Sequence, residues 1–279
     1  MQNSTQQGPQ QNPGVVPRDR AVRVVQLTDC HLGPNADYTL AGVRTYHSFL
    51  EVLQRLGADP GNADLVVVSG DIAAQGVAAA YQLFSREMRT LGLPFAWLPG
   101  NHDLLERISD NPLLPPFKPV VELGSWRLIC LNTAVEDQVG GYLAAEQLAF
   151  LDASLQALQS HPVALFMHHP PTDIGCQWLD RQQVGNGAEL AAIVRRHGNV
   201  KAGFSGHVHQ EAQVNFAGIP FYTTPSTCFQ FAAGSDDFAL SLDPPAYRWI
   251  DLYPDGSHAT GVIAIDNTRE QVDTHTAGY

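Results

Sequence analysis

The sequence predicts an α/β fold, and three observations carry that prediction. Short apolar runs rich in β-branched residues alternate with segments of helical period. Two of the helical segments stop at a glycine, Gly57 and Gly92. Most of the early apolar runs lead straight into Asp, Asn or His, as strand ends do where an open α/β sheet furnishes a binding edge. At 279 residues, 44% of them hydrophobic, the chain can bury a substantial core. We expect one domain over residues 21–279, β-rich in its C-terminal part and closed by a short tail.

Residues 1–20 are rich in Gln, Asn and Pro and lack the basic start and apolar stretch of a signal peptide. A disordered tail is expected there. "VRVVQL" from Val22, "LVVVS" from Leu65, "FAWL" from Phe95, "RLICL" from Arg127, "VALFM" from Val163 and "KAGFS" from Lys201 read as strands. Between them, Val43/Tyr46/Leu50/Leu53, Tyr81/Phe84/Met88/Leu91 and Leu148/Leu151/Leu155/Leu158 repeat at three and four and read as amphipathic helices. After His209 the pattern turns to β. "QEAQVNFAGIPFYTT" from Gln210 predicts a hairpin, and "YRWIDLY" and "GVIAI" predict strands joined through the "PDG" turn at Pro254 to Gly256. No internal repeat is present.

Composition excludes several classes. Sixteen Lys+Arg against 28 Asp+Glu give a formal charge of -12, with no basic run to neutralise a phosphate backbone, which argues against a nucleic-acid partner. No apolar run approaches membrane-spanning length. Cys30, Cys130, Cys176 and Cys228 lie far apart with no paired spacing, so a reduced, cytoplasmic protein is expected.

Five strand ends carry the chemistry: Asp29 and His31, then Gly70-Asp71, then Gly100-Asn101-His102-Asp103, then His168-His169, then His207 and His209. If the first strand runs on, Asp29 and His31 share a face and Cys30 points into the core. His207 and His209, on an extended segment, would likewise share a face, and metal ligation is the usual reason for such crowding. Singly, each piece has a bland reading. "GD" is a common turn, "GNHD" could cap a helix, and one of the paired histidines could be a satisfied core residue. The ordered set has no such reading.

That set, D-x-H, GD, GNHD, H-x-P, GHxH, resembles the calcineurin-like metallophosphoesterase superfamily over roughly residues 22–210. "PGNHD", "HHPP", "GCQWLD" from Gly175, "GHVHQE", "PSTCFQF" from Pro225 and the closing "DTHTAGY" further resemble the bacterial class III 3′,5′-cyclic-AMP phosphodiesterases. The resemblance implies a four-layer β-sandwich, two mixed sheets flanked by helices, with the site at the strand ends. It implies two metal ions. Asp29, His31 and His209 would hold one and Asn101, His168 and His207 the other, with Asp71 bridging. Imidazole, carboxylate and amide donors without thiolate suit Fe or Mn, with Zn also compatible.

On that resemblance the expected reaction is hydrolysis of 3′,5′-cyclic AMP to 5′-AMP by a hydroxide bridging the metals. His31, Asp71, Asn101, His102 and His209 would meet the substrate. Asp71 and His102 would be catalytic, His102 by protonating the leaving oxygen. Asp103 is expected to orient a neighbouring imidazole. His168 is preferred to His169 because it stands two before Pro170. Trp178, Asn186 and Phe231 are candidates for purine and ribose contacts, with ordinary packing as the alternative for Trp178 and Phe231. His47, His161, His197, His258 and His275 receive no role. A broader phosphodiesterase for 2′,3′-cyclic nucleotides or glycerophosphodiesters keeps the same metal motifs and is the alternative. "GDIAAQG" disfavours the protein phosphatase branch, which carries a second Asp and an Arg there, and the complete ligand set disfavours a non-catalytic scaffold. Monomer and homodimer both remain open.

Overall fold

The runs at Leu65 and Val163 are apolar on both faces, which a strand needs only if both of its faces are covered. The computed structural model, which describes residues 21–58, 63–109, 111–276 and 278, shows how. The N-terminal tail expected at 1–20 lies outside the described residues. In chain order the elements begin with β1 (Val22–Leu27), β2 (Thr39–Leu40), β3 (Val43–Arg44), α1 (Thr45–Gly57), β4 (Leu65–Ser69), α2 (Ala78–Leu91) and β5 (Phe95–Leu98). Next come α3 (Leu105–Ser109), β6 (Val120–Leu123), β7 (Trp126–Cys130), α4 (Ala145–Ala157), β8 (Val163–Phe166), α5 (Gln177–Asp180), α6 (Gly187–His197) and β9 (Val200–Ser205). The chain then runs through β10 (Ala212–Phe216), β11 (Ile219–Thr223), β12 (Gln230–Phe231), β13 (Leu240–Ser241), β14 (Ala246–Leu252) and β15 (His258–Ala264).

Two mixed sheets form, in the orders β15-β14-β1-β4-β5 and β10-β11-β9-β8-β7-β6. β1, β4 and β5 are mutually parallel, as are β7, β8, β9 and β11, and the remaining neighbours are antiparallel. The period-2 alternation of each strand divides its side chains between two cores. Val22, Val24, Leu65 and Val67 face Leu128, Cys130, Ala164 and Phe166 between the sheets. Val25, Leu27, Val66 and Val68 face outward onto Phe49, Val52 and Phe84 of α1 and α2. On the far side, Ile129, Val163 and Leu165 pack on Leu151 of α4 and Leu190 of α6. The result is the expected order helix, sheet, sheet, helix. Phe166 and Phe204 stack at 5.1 Å between the sheets, and burial of each contributes about 1.5–3 kcal/mol.

α1 ends at Gly57, as expected, although its cap, Ala58, keeps right-handed helical geometry, so Gly57 supplies no left-handed cap. Val43 lies in β3 instead of the helix. Gly92 is a left-handed cap, φ 72°, as expected. The β10/β11 and β14/β15 hairpins stand where the sequence placed them, whereas α6 and β6 were not anticipated. Among the described residues no helix is long and apolar enough to cross a membrane.

Candidate metal centre

The strand ends of both sheets meet at one edge. From the first sheet come Asp29 and His31 after β1, Asp71 after β4 and Asn101 after β5. From the second come His168 after β8 and His207 and His209 after β9. Backbone bonds stitch the first two loops together, Asp29 N to Gly70 O at 3.0 Å and His31 N to Asp71 O at 2.9 Å.

The convergence is not made by strand pleating, contrary to the expectation. β1 ends at Leu27 and β9 at Ser205, and Asp29, His31, Asp71, His207 and His209 all adopt positive φ, between 43° and 68°. Such left-handed backbone costs about 1–3 kcal/mol at a non-glycine residue and persists only where its surroundings enforce it. Cys30, between two such residues, is buried in the core under α1, as expected, and burial pushes its thiol well up.

Four overlapping groups have donor atoms within 4.8 Å of one another: Asp29/His31/His209, His168/His169/His207, Asp29/Asp71/His168 and His31/Asp71/His102. His209 Nε2 lies 3.2 Å from His31 Nε2 and 3.3 Å from Asp29 Oδ1. His168 Nε2 lies 3.2 Å from Asp71 Oδ2 and 3.1 Å from Asn101 Oδ1. The other ring nitrogens are aimed by backbone oxygens, His168 Nδ1 by Ser69 O and His209 Nδ1 by Phe229 O, both at 2.8 Å. Metal-binding histidines are usually oriented in this way. Asp29 accepts from His207 N at 3.0 Å and from the Thr28 hydroxyl at 2.7 Å, and Asp71 accepts from His102 N at 2.9 Å.

Electrostatics favour a cation here. Burial works against ionised Asp71 and Asp29, yet facing imidazoles hold both below the usual carboxylate range, Asp71 through His168, His102 and His31 and Asp29 through His209 and His168. Burial also opposes charge on His168, but Asp71 and Asp29 prevail and push it up to about 9. Burial pushes His31 down to about 3 and His207 well down. His207 Nε2 is buried with no hydrogen-bond partner, a costly state that a metal would relieve. The donor set therefore fits metal ions.

His169 sits in one of these groups, but the protein occupies both of its nitrogens, Nδ1 with Thr133 Oγ1 at 2.8 Å and Nε2 with Val139 O at 3.0 Å. Burial and the neighbouring His168 push it down to about 3. His102 gives Nδ1 to Ala74 O at 3.0 Å and packs edge-on against His31 at 4.9 Å.

The centre forms the floor of a cleft of about 940 Å³, with Asp71, Asn101, His102 and His207 in its lining. Trp178, Phe231 and Phe238 make one wall, their rings 4.9 to 5.7 Å apart, and Phe231 stacks on His209 at 4.4 Å. Leu104 and Val139 stand exposed on the rim.

Two expectations need correction. Asp103 orients no imidazole. Its carboxylate accepts from Ile72 N, Ala73 N, Gly100 N and Tyr81 OH at 3.0 to 3.2 Å, fastening the Asp71 loop to the Asn101 loop. Asn186 does not line the cleft. Its amide bonds Leu143 N and O at 3.0 and 2.9 Å, because an amide can satisfy a lone peptide unit at both ends. Phe238 in the wall was missed, since nothing local marks it. The five histidines given no role lie outside the four groups.

The chain belongs to the calcineurin-like phosphoesterase family, whose model matches residues 22–211. It is 33% identical to a 3′,5′-cyclic-nucleotide phosphodiesterase of Nostoc sp., over 92% of this chain and 98% of that one. It is 34% identical to the 3′,5′-cyclic adenosine monophosphate phosphodiesterase CpdA of Escherichia coli strain K12, over 92% and 95%. Among solved structures, a dimetal phosphatase from Danio rerio superposes with a TM-score of 0.61 at 14% identity, covering 89% of this chain and all of that one, which shows the shared fold.

Proposed function

We propose that this protein hydrolyses 3′,5′-cyclic AMP to 5′-AMP at a dinuclear metal centre. The observation that carries the reading is one cleft with Asp71, Asn101, His102 and His207 on its floor, above the buried Asp29/Asp71/His168 cluster, and the Trp178/Phe231/Phe238 wall beside it. The floor suits a phosphodiester and the wall suits a base that can stack. Relatives named for cyclic-nucleotide hydrolysis cover nearly the whole chain, including the segments that build this wall.

Asp29, His31 and His209 would hold one metal and Asn101, His168 and His207 the other, with Asp71 reaching both sets. Two such ions, Fe or Mn for these donors, supply charge neutralisation for the phosphodiester and an activated water for in-line attack. His102, its Nδ1–H donated to Ala74 O, would present Nε2 to the leaving 3′ oxygen and, in its imidazolium form, give it the proton it needs. The cysteines at 30, 130, 176 and 228 are free and buried, which supports a reducing compartment such as the cytoplasm.

The test is product formation from 3′,5′-cyclic AMP by Mn-loaded protein, with 2′,3′-cyclic AMP, a glycerophosphodiester and bis(p-nitrophenyl) phosphate in parallel and Asn101→Ala as the blank. Formation of 5′-AMP as the preferred reaction supports the proposal. Preference for the other diesters would keep the metal centre and give the broader phosphodiesterase its place.

A further inference from the structure

On the inter-sheet face of β1 the pattern runs Val22, Val24, Gln26. The two valines belong to the apolar core, and the third inward position, wholly buried, is a primary amide. Its Nε2 donates to Ser69 Oγ at 2.7 Å and to Ser205 O at 3.1 Å. Ser69 closes β4 in the five-stranded sheet, and Ser205 closes β9 in the six-stranded sheet. Gln26 Oε1 accepts from Thr224 Oγ1 at 2.7 Å, which accepts from Nε of the buried Arg248 at 3.1 Å. Arg248 in turn donates to Thr223 O at 2.8 Å. Both donors and the acceptor of the Gln26 amide are engaged, the condition under which a buried polar group rigidifies its surroundings.

The two strand ends tied by Gln26 are those from which ligands depart. Ser69 O is the acceptor that aims His168 Nδ1 at 2.8 Å, and Ser205 is followed by Gly206 and His207. We propose that Gln26 is a positioning residue for the metal centre, fixing the separation of the two sheets where each delivers its ligands. This rests on the metal-centre reading above. Glutamine fits because the position needs two donors and one acceptor from a single side chain, which a carboxylate or an aliphatic residue cannot supply.

The test uses the full chain and Mn²⁺ alone. Gln26→Met keeps the volume and removes the three bonds, and Thr224→Val removes the hydroxyl that holds Oε1 and accepts from Arg248 Nε. Val24→Ala, on the same face and strand but touching no ligand, matches any general loss of stability. Mn²⁺ affinity is read from the free-ion resonance signal, and stability from the melting of metal-free protein. Gln26→Met is expected to weaken Mn²⁺ binding about 10–100-fold and Thr224→Val less, while Val24→Ala melts lower and binds as wild type does. Wild-type affinity in Gln26→Met, or an equal loss in Val24→Ala at the same melting temperature, overturns the proposal. If Gln26→Met does not fold, Thr224→Val against Val24→Ala makes the same comparison. A wild type that binds no Mn²⁺ overturns the metal-centre reading itself.

Discussion

Replacing Gly206 with alanine adds one methyl group at the point where β9 hands the chain to His207. That Cβ would overlap Thr28 Oγ1 and stand 2.6 Å from Asp29 Oδ2 and 3.0 Å from Thr28 Cβ. Ordinary contact begins at 3.4 Å, so Asp29 Oδ2 must retreat by 3.4 − 2.6, about 0.8 Å. A ligand set tolerates displacements of about 0.5 Å, and Thr28, whose hydroxyl holds that same oxygen at 2.7 Å, is driven off as well. Gly206 has no positive φ, so the effect is steric and not conformational. Overpacking should cost about 1–3 kcal/mol, and Mn²⁺ affinity should fall about 10–100-fold as Asp29 loses its aim. Gly57→Ala is the control: its Cβ meets only Leu91 Cδ1, at an ordinary 3.8 Å, inside a helix. It should gain about 0.4–1 kcal/mol and leave metal binding alone. The assay is a Mn²⁺ titration with thermal melting of both variants. Wild-type affinity in Gly206→Ala would refute the reasoning, because it would mean that Asp29 can move without consequence.

His168→Ala should lose one bound metal, whereas His169→Ala, whose nitrogens are already engaged by Thr133 and Val139, should keep both by elemental analysis. The reverse pattern would invert that assignment. In metal-free protein His168 is pushed up to about 9 by Asp71 and Asp29 despite its burial. A metal must displace that proton, so acid weakens binding, by up to about tenfold for each pH unit below 9. Titration calorimetry in buffers of different ionisation enthalpy reads the released proton, and a pH-independent affinity would contradict the assignment. His102→Gln should lower kcat about 10²–10⁴-fold with metal content unchanged, and a matching loss of metal would make it a ligand instead.

The candidate site was legible because its residues are few, chemically loud and ordered along the chain. Asp29, His31, Asp71, Asn101, His168, His207 and His209 each follow an apolar run, and the fold brings all seven to one edge. The way they converge was not legible. Alternation along a strand suggested a shared face, whereas left-handed backbone at five of these positions does the aiming, and that geometry is enforced by tertiary bonds such as Asp29 N to Gly70 O. The roles of Asp103 and Asn186 were not legible for a related reason. Their partners, Tyr81 and the peptide groups of Ile72, Ala73, Gly100 and Leu143, are distant or featureless in sequence. Helix α6 did carry a signal, Leu190/Ile193/Val194 followed by left-handed Gly198.

The most direct test of the central claim is anomalous diffraction from crystals soaked in Mn²⁺. Two peaks are expected at the cleft floor, one within bonding distance of Asp29, His31 and His209 and the other of Asn101, His168 and His207, with Asp71 between them. A single peak would contradict the two-metal centre on which the proposed hydrolysis depends, and a peak bound by His169 in place of His168 would contradict the ligand set assigned to it.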